Sequence, residues 1–235
     1  MMIIIPARLQ STRFPRKMLT DILGIPMIVR TALRAKEADE VCVATDSQEI
    51  IEVCQKHKIE AVMTSPSHSS GTDRCAEASR ILGLSESEII INMQGDEPFL
   101  ESEILLSLKK MMSEKSCFMG TCIKSISFAE AEDANLVKVV LDKDNHALYF
   151  SRSLIPYNRD GGEVEYFGHL GIYAFSNASL QEYCTLPKSP LEEIEKLEQL
   201  RALYHQKSIA TLLVQTQSIG IDTLEDKERA IKLFS

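Results

Sequence analysis

Several common signatures are missing from this sequence, and each absence removes a class of function. No Gly-x-Gly-x-x-Gly follows the first apolar run and no Gly-x-x-x-x-Gly-Lys-Ser/Thr occurs anywhere, which disfavours a dinucleotide oxidoreductase and a P-loop ATPase. No apolar stretch approaches the length of a membrane span, so no membrane partner is expected. The start, Met-Met-Ile-Ile-Ile-Pro, lacks a basic stretch ahead of its apolar residues; no signal peptide is expected, and the expected location is the cytoplasm. Positive charge is in deficit: 26 Lys and Arg against 34 Asp and Glu leave a net charge of −8. Binding to a nucleic-acid backbone needs an extended basic face, so nucleic acid is not an expected partner. The six cysteines (Cys42, Cys54, Cys75, Cys117, Cys122 and Cys184) include no Cys-x-x-Cys pair, and most fall in apolar strands or helices. They are expected to act as small core hydrophobes rather than as disulfides or metal ligands.

What is present reads as an α/β protein. The chain has 235 residues, 44% hydrophobic and 26% charged, enough for a sizeable core. Strands are expected at Met2 to Pro6, Glu40 to Thr45, Glu60 to Met63 and Glu88 to Met93. Helices are expected between them at Pro26 to Ala38, Ser47 to His57 and Gly71 to Leu82, and after them at Glu101 to Ser113. That alternation predicts a mainly parallel central sheet with helices on both faces. The second half changes character. A strand near Cys117 to Ser125 leads to a hairpin of Val137 to Leu141 and Ala147 to Ser151 around Asp142-Lys143-Asp144-Asn145, and another strand lies within Glu165 to Phe175. Ser189 to Tyr204 reads as one helix, followed by a strand at Ile209 to Val214 and a helix at Thr223 to Phe234. The expected organisation is a single domain over residues 1–235, with a smaller mixed or antiparallel lobe inserted at roughly 125–205.

The most informative segment is the loop after the first strand, Pro6-Ala7-Arg8-Leu9-Gln10-Ser11-Thr12-Arg13-Phe14-Pro15-Arg16-Lys17. It carries Arg8, Arg13, Arg16 and Lys17 with no acid, and Ser11 and Thr12 add hydroxyls. It leaves the end of a strand where open α/β sheets bind ligands, and on an acidic protein it forms a confined positive pocket suited to a polyphosphate. Gln94-Gly95-Asp96-Glu97-Pro98 follows an expected central strand; Gly95 would allow close approach to a ligand, Pro98 would end the strand, and Asp96 could hold Mg²⁺ against phosphate oxygens. Asp222 is either a helix N-cap, as is Thr223, or a second metal carboxylate. Ser69-Ser70-Gly71-Thr72-Asp73-Arg74 opens a helix whose free N–H groups either face a base or ribose or are simply capped. Arg152 and His169 are single polar residues at strand positions, while Glu198 and Gln199 sit on a helix that packing otherwise explains.

Together these motifs resemble the 3-deoxy-manno-octulosonate (Kdo) cytidylyltransferases over nearly the whole chain and in the same order. The resemblance runs from Pro6-Ala7-Arg8 and Lys17 through Ser70-Gly71-Thr72-Asp73-Arg74 and Gln94-Gly95-Asp96-Glu97-Pro98. It continues through Ala147-Leu148-Tyr149-Phe150-Ser151-Arg152, His169-Leu170-Gly171-Ile172-Tyr173 and Leu197-Glu198-Gln199 to Gly220-Ile221-Asp222-Thr223. It implies a nucleotide-diphospho-sugar transferase-like fold, CTP and Kdo as substrates, CMP-Kdo and pyrophosphate as products for lipopolysaccharide biosynthesis, Mg²⁺ and a homodimer formed through the second-half lobe. By resemblance, Arg8, Lys17, Asp96 and Asp222 are catalytic, the last two as metal carboxylates. Pro6, Ala7, Arg8, Ser11, Thr12, Arg13, Lys17, Ser70, Gly71, Arg74, Gln94 and Asp96 hold the nucleotide. Gln94, Arg152, His169, Tyr173, Glu198 and Gln199 line the sugar pocket. A related sugar acid (an 8-amino Kdo analogue or an acylneuraminate) is the alternative substrate, and a non-catalytic nucleotide-binding regulator is the alternative class. Two departures stand out: many members have Gly where this chain has Arg16 and Pro where it has Met18, and the segment between Pro156 and Phe167 is short.

Overall fold

The computed structural model describes residues 1–9 and 14–234, so Ser11, Thr12 and Arg13 of the basic loop lie outside the described residues. The first strand, β1 (Met2–Ala7), is buried along its whole length. Side chains alternate across a strand, so Ile3 and Ile5 enter one hydrophobic core while Met2 and Ile4 enter another on the opposite face. A short antiparallel pair, β2 (Asp21–Ile22) and β3 (Ile25–Pro26), precedes α1 (Met27–Lys36). Then come β4 (Glu40–Thr45), α2 (Gln48–Lys56), β5 (Glu60–Met63), α3 (Gly71–Ile81), β6 (Ile89–Asn92) and α4 (Ser102–Glu114). Side-chain caps set two of the helix starts: the Ser47 hydroxyl accepts from Ile50 N–H at α2, and that of Ser70 from Asp73 N–H at α3.

The second half supplies β7 (Met119–Ile126), α5 (Phe128–Ala131) and the hairpin β8 (Lys138–Leu141) and β9 (Ala147–Ser151). It ends with β10 (Tyr166–Ser176), α6 (Asn177–Thr185), α7 (Pro190–Glu195), α8 (Leu200–Tyr204), β11 (Ile209–Leu213) and α9 (Leu224–Phe234). The main sheet has the order β11-β7-β10-β6-β1-β4-β5, with the β8–β9 hairpin attached to β10. β6, β1, β4 and β5 are mutually parallel, and β11 is parallel to β7. β10 pairs antiparallel with both β6 and β7, so among the described residues it alone runs against the other six strands of that path. The sheet is therefore mainly parallel. α1, α2 and α4 cover one core with Met27, Ile28, Ile50, Leu105 and Leu108, and α3, α6 and α8 cover the other with Cys75, Ala78, Leu180, Tyr183 and Leu200. Each large apolar side chain so buried contributes about 1.5–3 kcal/mol.

Three local expectations change. The helix expected over Ser189 to Tyr204 is two helices, broken where Lys196 adopts a left-handed conformation (φ 55°). Apolar residues spaced mostly by three drift around a 3.6-residue helix, and the break re-phases them: Leu197 and Leu200 are buried while Ile194 stays exposed. α6 was not expected; Ser176 caps it and Leu180 and Tyr183 bury its inner face. Pro98 does not end β6, which stops at Asn92. The six cysteines are free thiols, and burial pushes Cys42 and Cys122 up to about 12. No helix among the described residues is long and apolar enough to cross a membrane.

The broken helix is stapled by a buried ion pair. Arg201 donates from Nε and Nη2 to the two carboxylate oxygens of Glu192 at 2.9 and 2.6 Å, and its guanidinium lies 4.8 Å from the centre of the Tyr183 ring. Removing one partner leaves the other charge buried. Arg201→Met is therefore expected to lower the unfolding free energy by about 3–5 kcal/mol in urea titrations.

Candidate active site

The C-terminal ends of β1, β4 and β6 open onto a cleft of about 1010 Å³, the end of a parallel sheet where ligands bind. Its walls include Pro6, Ala7 and Arg8 after β1, Asp46 and Ser47 after β4, Ser70, Gly71 and Arg74 on the start of α3, and Gln94, Gly95 and Asp96 after β6. Lys17 and Asp222 complete it. All the nucleotide and metal residues expected from the sequence, within the described residues, thus meet at one cleft.

Its electrostatic centre is Lys17, on a single 3-10 turn (Lys17–Leu19) and 7% exposed. Nζ donates to Asp96 Oδ2 at 2.6 Å and to Asp222 Oδ1 at 2.8 Å. Burial pulls the ammonium down, but the two carboxylates outweigh it and hold Lys17 above the ordinary lysine value. Asp222 reaches this position because its loop is docked on the turn after β6. Ile221 N–H donates to Asp96 O at 2.9 Å, the Ser218 hydroxyl donates to Glu97 Oε2 at 2.9 Å, and a Cβ on Gly220 would stand 3.0 Å from Glu97 Oε1. Burial, with Asp96 next, pushes Glu97 up to about 7. The N-cap alternatives resolve in favour of Thr223, whose hydroxyl accepts from Asp226 N–H at 3.1 Å, so the Asp222 carboxylate is turned to Lys17 instead.

The position between Asp96 and Asp222 suits a cation, since an ammonium already bridges the two carboxylates. Among the described residues no group of three or more His, Cys, Asp or Glu converges on one point. The donor set thus fits a hard divalent ion that takes one or two carboxylates and completes its shell with substrate phosphates and water.

The expected nucleotide residues divide by what holds them. Ser70 caps α3, and Gly71 is required by close packing, since a Cβ there would lie 3.0 Å from Pro6 Cγ. Gly95 lines the cleft and also packs closely, since an added Cβ would sit 2.8 Å from Met18 Sδ. Arg74 is buried and committed, donating to Thr64 Oγ1 at 2.6 Å and Asp46 Oδ2 at 2.8 Å. Asp46 is a cleft residue missing from the expected set; its place directly after a parallel strand is the signal that could have found it. His68 is another, paired with Glu77 across the cleft edge. Arg16 adopts φ 57°, a conformation that glycine takes without steric cost, and its guanidinium pairs with Glu49.

The residues expected to line the sugar pocket lie off this cleft, except Gln94. All but Arg152 fall in two hydrogen-bonded groups. Gln94 Nε2 donates to Asn92 Oδ1 at 3.4 Å, Asn92 Nδ2 donates to Thr72 Oγ1 at 3.0 Å, and Thr72 Oγ1 donates to Glu198 Oε2 at 2.9 Å. Tyr173 OH donates to Gln199 Oε1 at 3.0 Å, and Gln199 Nε2 is 3.4 Å from His169 Nδ1, while His169 Nε2 is 2.9 Å from Thr121 Oγ1. Burial lowers His169 to about 3, so it is neutral. Arg152 stands apart on the turn after β9: its Nε and Nη1 donate to the carbonyls of Glu195 and Ala134, and the Glu195 carboxylate holds the Arg152 N–H and the Ser151 hydroxyl.

Two expectations follow. Burial pushes Glu198 up to about 7 from 4.5, so between those values the folded state binds more protons than the unfolded one and stability falls as pH rises. Glu198→Gln keeps an acceptor for Thr72 and should gain melting temperature over the wild type at pH 8 but not at pH 5; an offset that does not change with pH contradicts this. Arg16→Gly should alter the unfolding free energy by no more than about 1 kcal/mol, since an exposed ion pair contributes little. A β-branched residue is strained at positive φ, so Arg16→Val should cost about 1–2 kcal/mol.

Comparison with known proteins agrees with this geometry. The cytidylyltransferase family model matches residues 2–209. A 3-deoxy-manno-octulosonate cytidylyltransferase of Wolinella succinogenes is 58% identical over 241 residues, covering 99% of this chain and 99% of that protein. One from Helicobacter pylori (strain P12) is 56% identical over 238 residues, covering 100% and 98%. Among solved structures, a CMP:2-keto-3-deoxy-manno-octonic acid synthetase complexed with CTP superposes with a TM-score of 0.93 at 40% identity, covering 99% of this chain and 97% of its own.

Proposed function

The chain belongs to the cytidylyltransferase family, and from that premise we propose that it transfers CMP from CTP to the anomeric hydroxyl of Kdo. The products are CMP-Kdo, for lipopolysaccharide biosynthesis, and pyrophosphate. The observation that carries the reading is the cleft, where Lys17 bridges Asp96 and Asp222 beside Arg8 at the ligand edge of the sheet. The full-length likeness to relatives named for this reaction supports it.

Arg8 and Lys17 supply positive charge for the triphosphate and for the charge that develops on the leaving pyrophosphate, a mainly electrostatic contribution. Pro6, Ala7, Ser70, Gly71 and Gln94 shape the wall against which the nucleoside lies, and Arg74 fixes Asp46 there. The anomeric hydroxyl oxygen forms a bond to the α-phosphorus as the bond from that phosphorus to the bridging oxygen of pyrophosphate breaks, and the hydroxyl proton passes to solvent. Asp96 and Asp222 are the residues that would hold Mg²⁺, which when bound offsets phosphate charge. Gln94, His169, Tyr173, Glu198 and Gln199 are assigned to the sugar, with the neutral His169 and its partners as a pre-set hydrogen-bonding wall. Arg152 is assigned to the sugar carboxylate on resemblance alone, since its Nε and Nη1 donate to the carbonyls of Glu195 and Ala134. Ser11, Thr12 and Arg13 keep their place in the nucleotide set on resemblance alone. We place the enzyme in the cytoplasm, with residues of roughly 125–205 as the lobe through which it dimerises.

Pyrophosphate release with CTP, Mg²⁺ and either Kdo, its 8-amino analogue or an acylneuraminate tests the reading. Turnover is expected with Kdo, and Asp96→Asn and Asp222→Asn should each lower it by at least 100-fold while the protein stays folded. Turnover only with another sugar acid, or none with any, contradicts the assignment.

A further inference from the structure

Lys17 stands where the metal reading puts a divalent cation. Its ammonium is within 2.6 and 2.8 Å of one oxygen each of Asp96 and Asp222. An ammonium and a divalent ion cannot share that space, since the two cations would overlap on the same carboxylate oxygens and repel. A metal ion arriving at the nucleotide-free protein must therefore displace a buried lysine from its bonds to both carboxylates. A triphosphate changes this, because its oxygens give the ammonium new acceptors within the same cleft and add ligands for the metal.

We propose that Lys17 is the residue that makes metal binding depend on nucleotide: in the nucleotide-free protein it occupies the Asp96–Asp222 site, and the triphosphate draws it off and so opens the carboxylates. This rests on reading Asp96 and Asp222 as the metal carboxylates. Coupling of this kind is reciprocal, so the metal must tighten nucleotide binding by the same factor. Lys17 thereby has two successive partners, first the acids and then the phosphates. Its side chain comes from the turn after the basic loop, which puts both within the same cleft.

The test is Mn²⁺ binding to the full chain, followed by electron paramagnetic resonance of the free ion, without sugar. Without nucleotide, Lys17→Met is expected to bind Mn²⁺ at least tenfold more tightly than the wild type, and Lys17→Arg no more tightly. Adding Asp96→Asn to Lys17→Met should abolish the gain. CTP should tighten Mn²⁺ binding to the wild type at least tenfold beyond the affinity of Mn²⁺ for CTP itself, and to Lys17→Met by much less. Should Lys17→Met not fold, Lys17→Gln takes its place, and the wild-type comparison with and without CTP stands by itself. Equal or weaker Mn²⁺ binding by a folded, uncharged Lys17 variant overturns the proposal, as does a wild type whose Mn²⁺ affinity CTP leaves unchanged. If Asp96→Asn and Asp222→Asn leave Mn²⁺ binding in the presence of CTP unaltered, the metal reading itself has failed.

Discussion

The bond from one lysine to two aspartates organises this molecule's working end. Lys17 meets Asp96, 79 residues on, and Asp222, 205 residues on, and so ties the first loop, the turn after the central strand and the approach to the last helix into one point. Three charges within a few ångströms, two of one sign, are stable together because the ammonium is held close to both acids. The surroundings are arranged to keep it so. Ile221 is bonded to the Asp96 carbonyl, Ser218 to Glu97 and Thr216 to Glu101, which fixes Asp222 against the 96–97 turn. In the proposed reading a triphosphate entering the cleft meets Arg8 and Lys17 at the wall, with acids to take up a divalent ion in the space the lysine would leave.

The fold supplies a second feature, a rigid polar route leading from the cleft to Glu198. β6 lies between the parallel half of the sheet and the reversed strand β10, with Asn92 paired to Ile4 on one side and Tyr173 on the other. The polar chain from Gln94 through Asn92 and Thr72 to Glu198 crosses at that junction. Each member has a partner, which makes a buried polar chain a source of rigidity instead of a penalty. The bulge in β10 between Leu170 and Tyr173 shifts the register against β7 while His169 and Tyr173 both reach Gln199.

Much of this was legible in the residues. The alternation of β4, α2, β5 and α3 appears at the expected places because period-2 and period-3.6 apolar patterns, with Ser47 and Ser70 as caps, are local signals. The cations of the first loop and the carboxylate of Asp96 were visible for a similar reason: each lies in the segment after a strand whose end opens onto the cleft. Asp222 was ambiguous because Asp and Thr cap helices about equally well; only the bond from Asp226 to Thr223 separates them. The direction of β10 is not a matter of periodicity, and the break at Lys196 depends on a backbone conformation that Lys rarely takes. Nor could the sequence show that Lys17 would face two acids before any phosphate, since that depends on residues brought together only by the finished fold.

The most direct measurement is a crystal structure of this chain with CTP and Mg²⁺. The account predicts Lys17 Nζ on phosphate oxygens and both Asp96 and Asp222 at about 2.0–2.1 Å from the metal. A structure in which the triphosphate binds while Lys17 still bridges the two aspartates would contradict it.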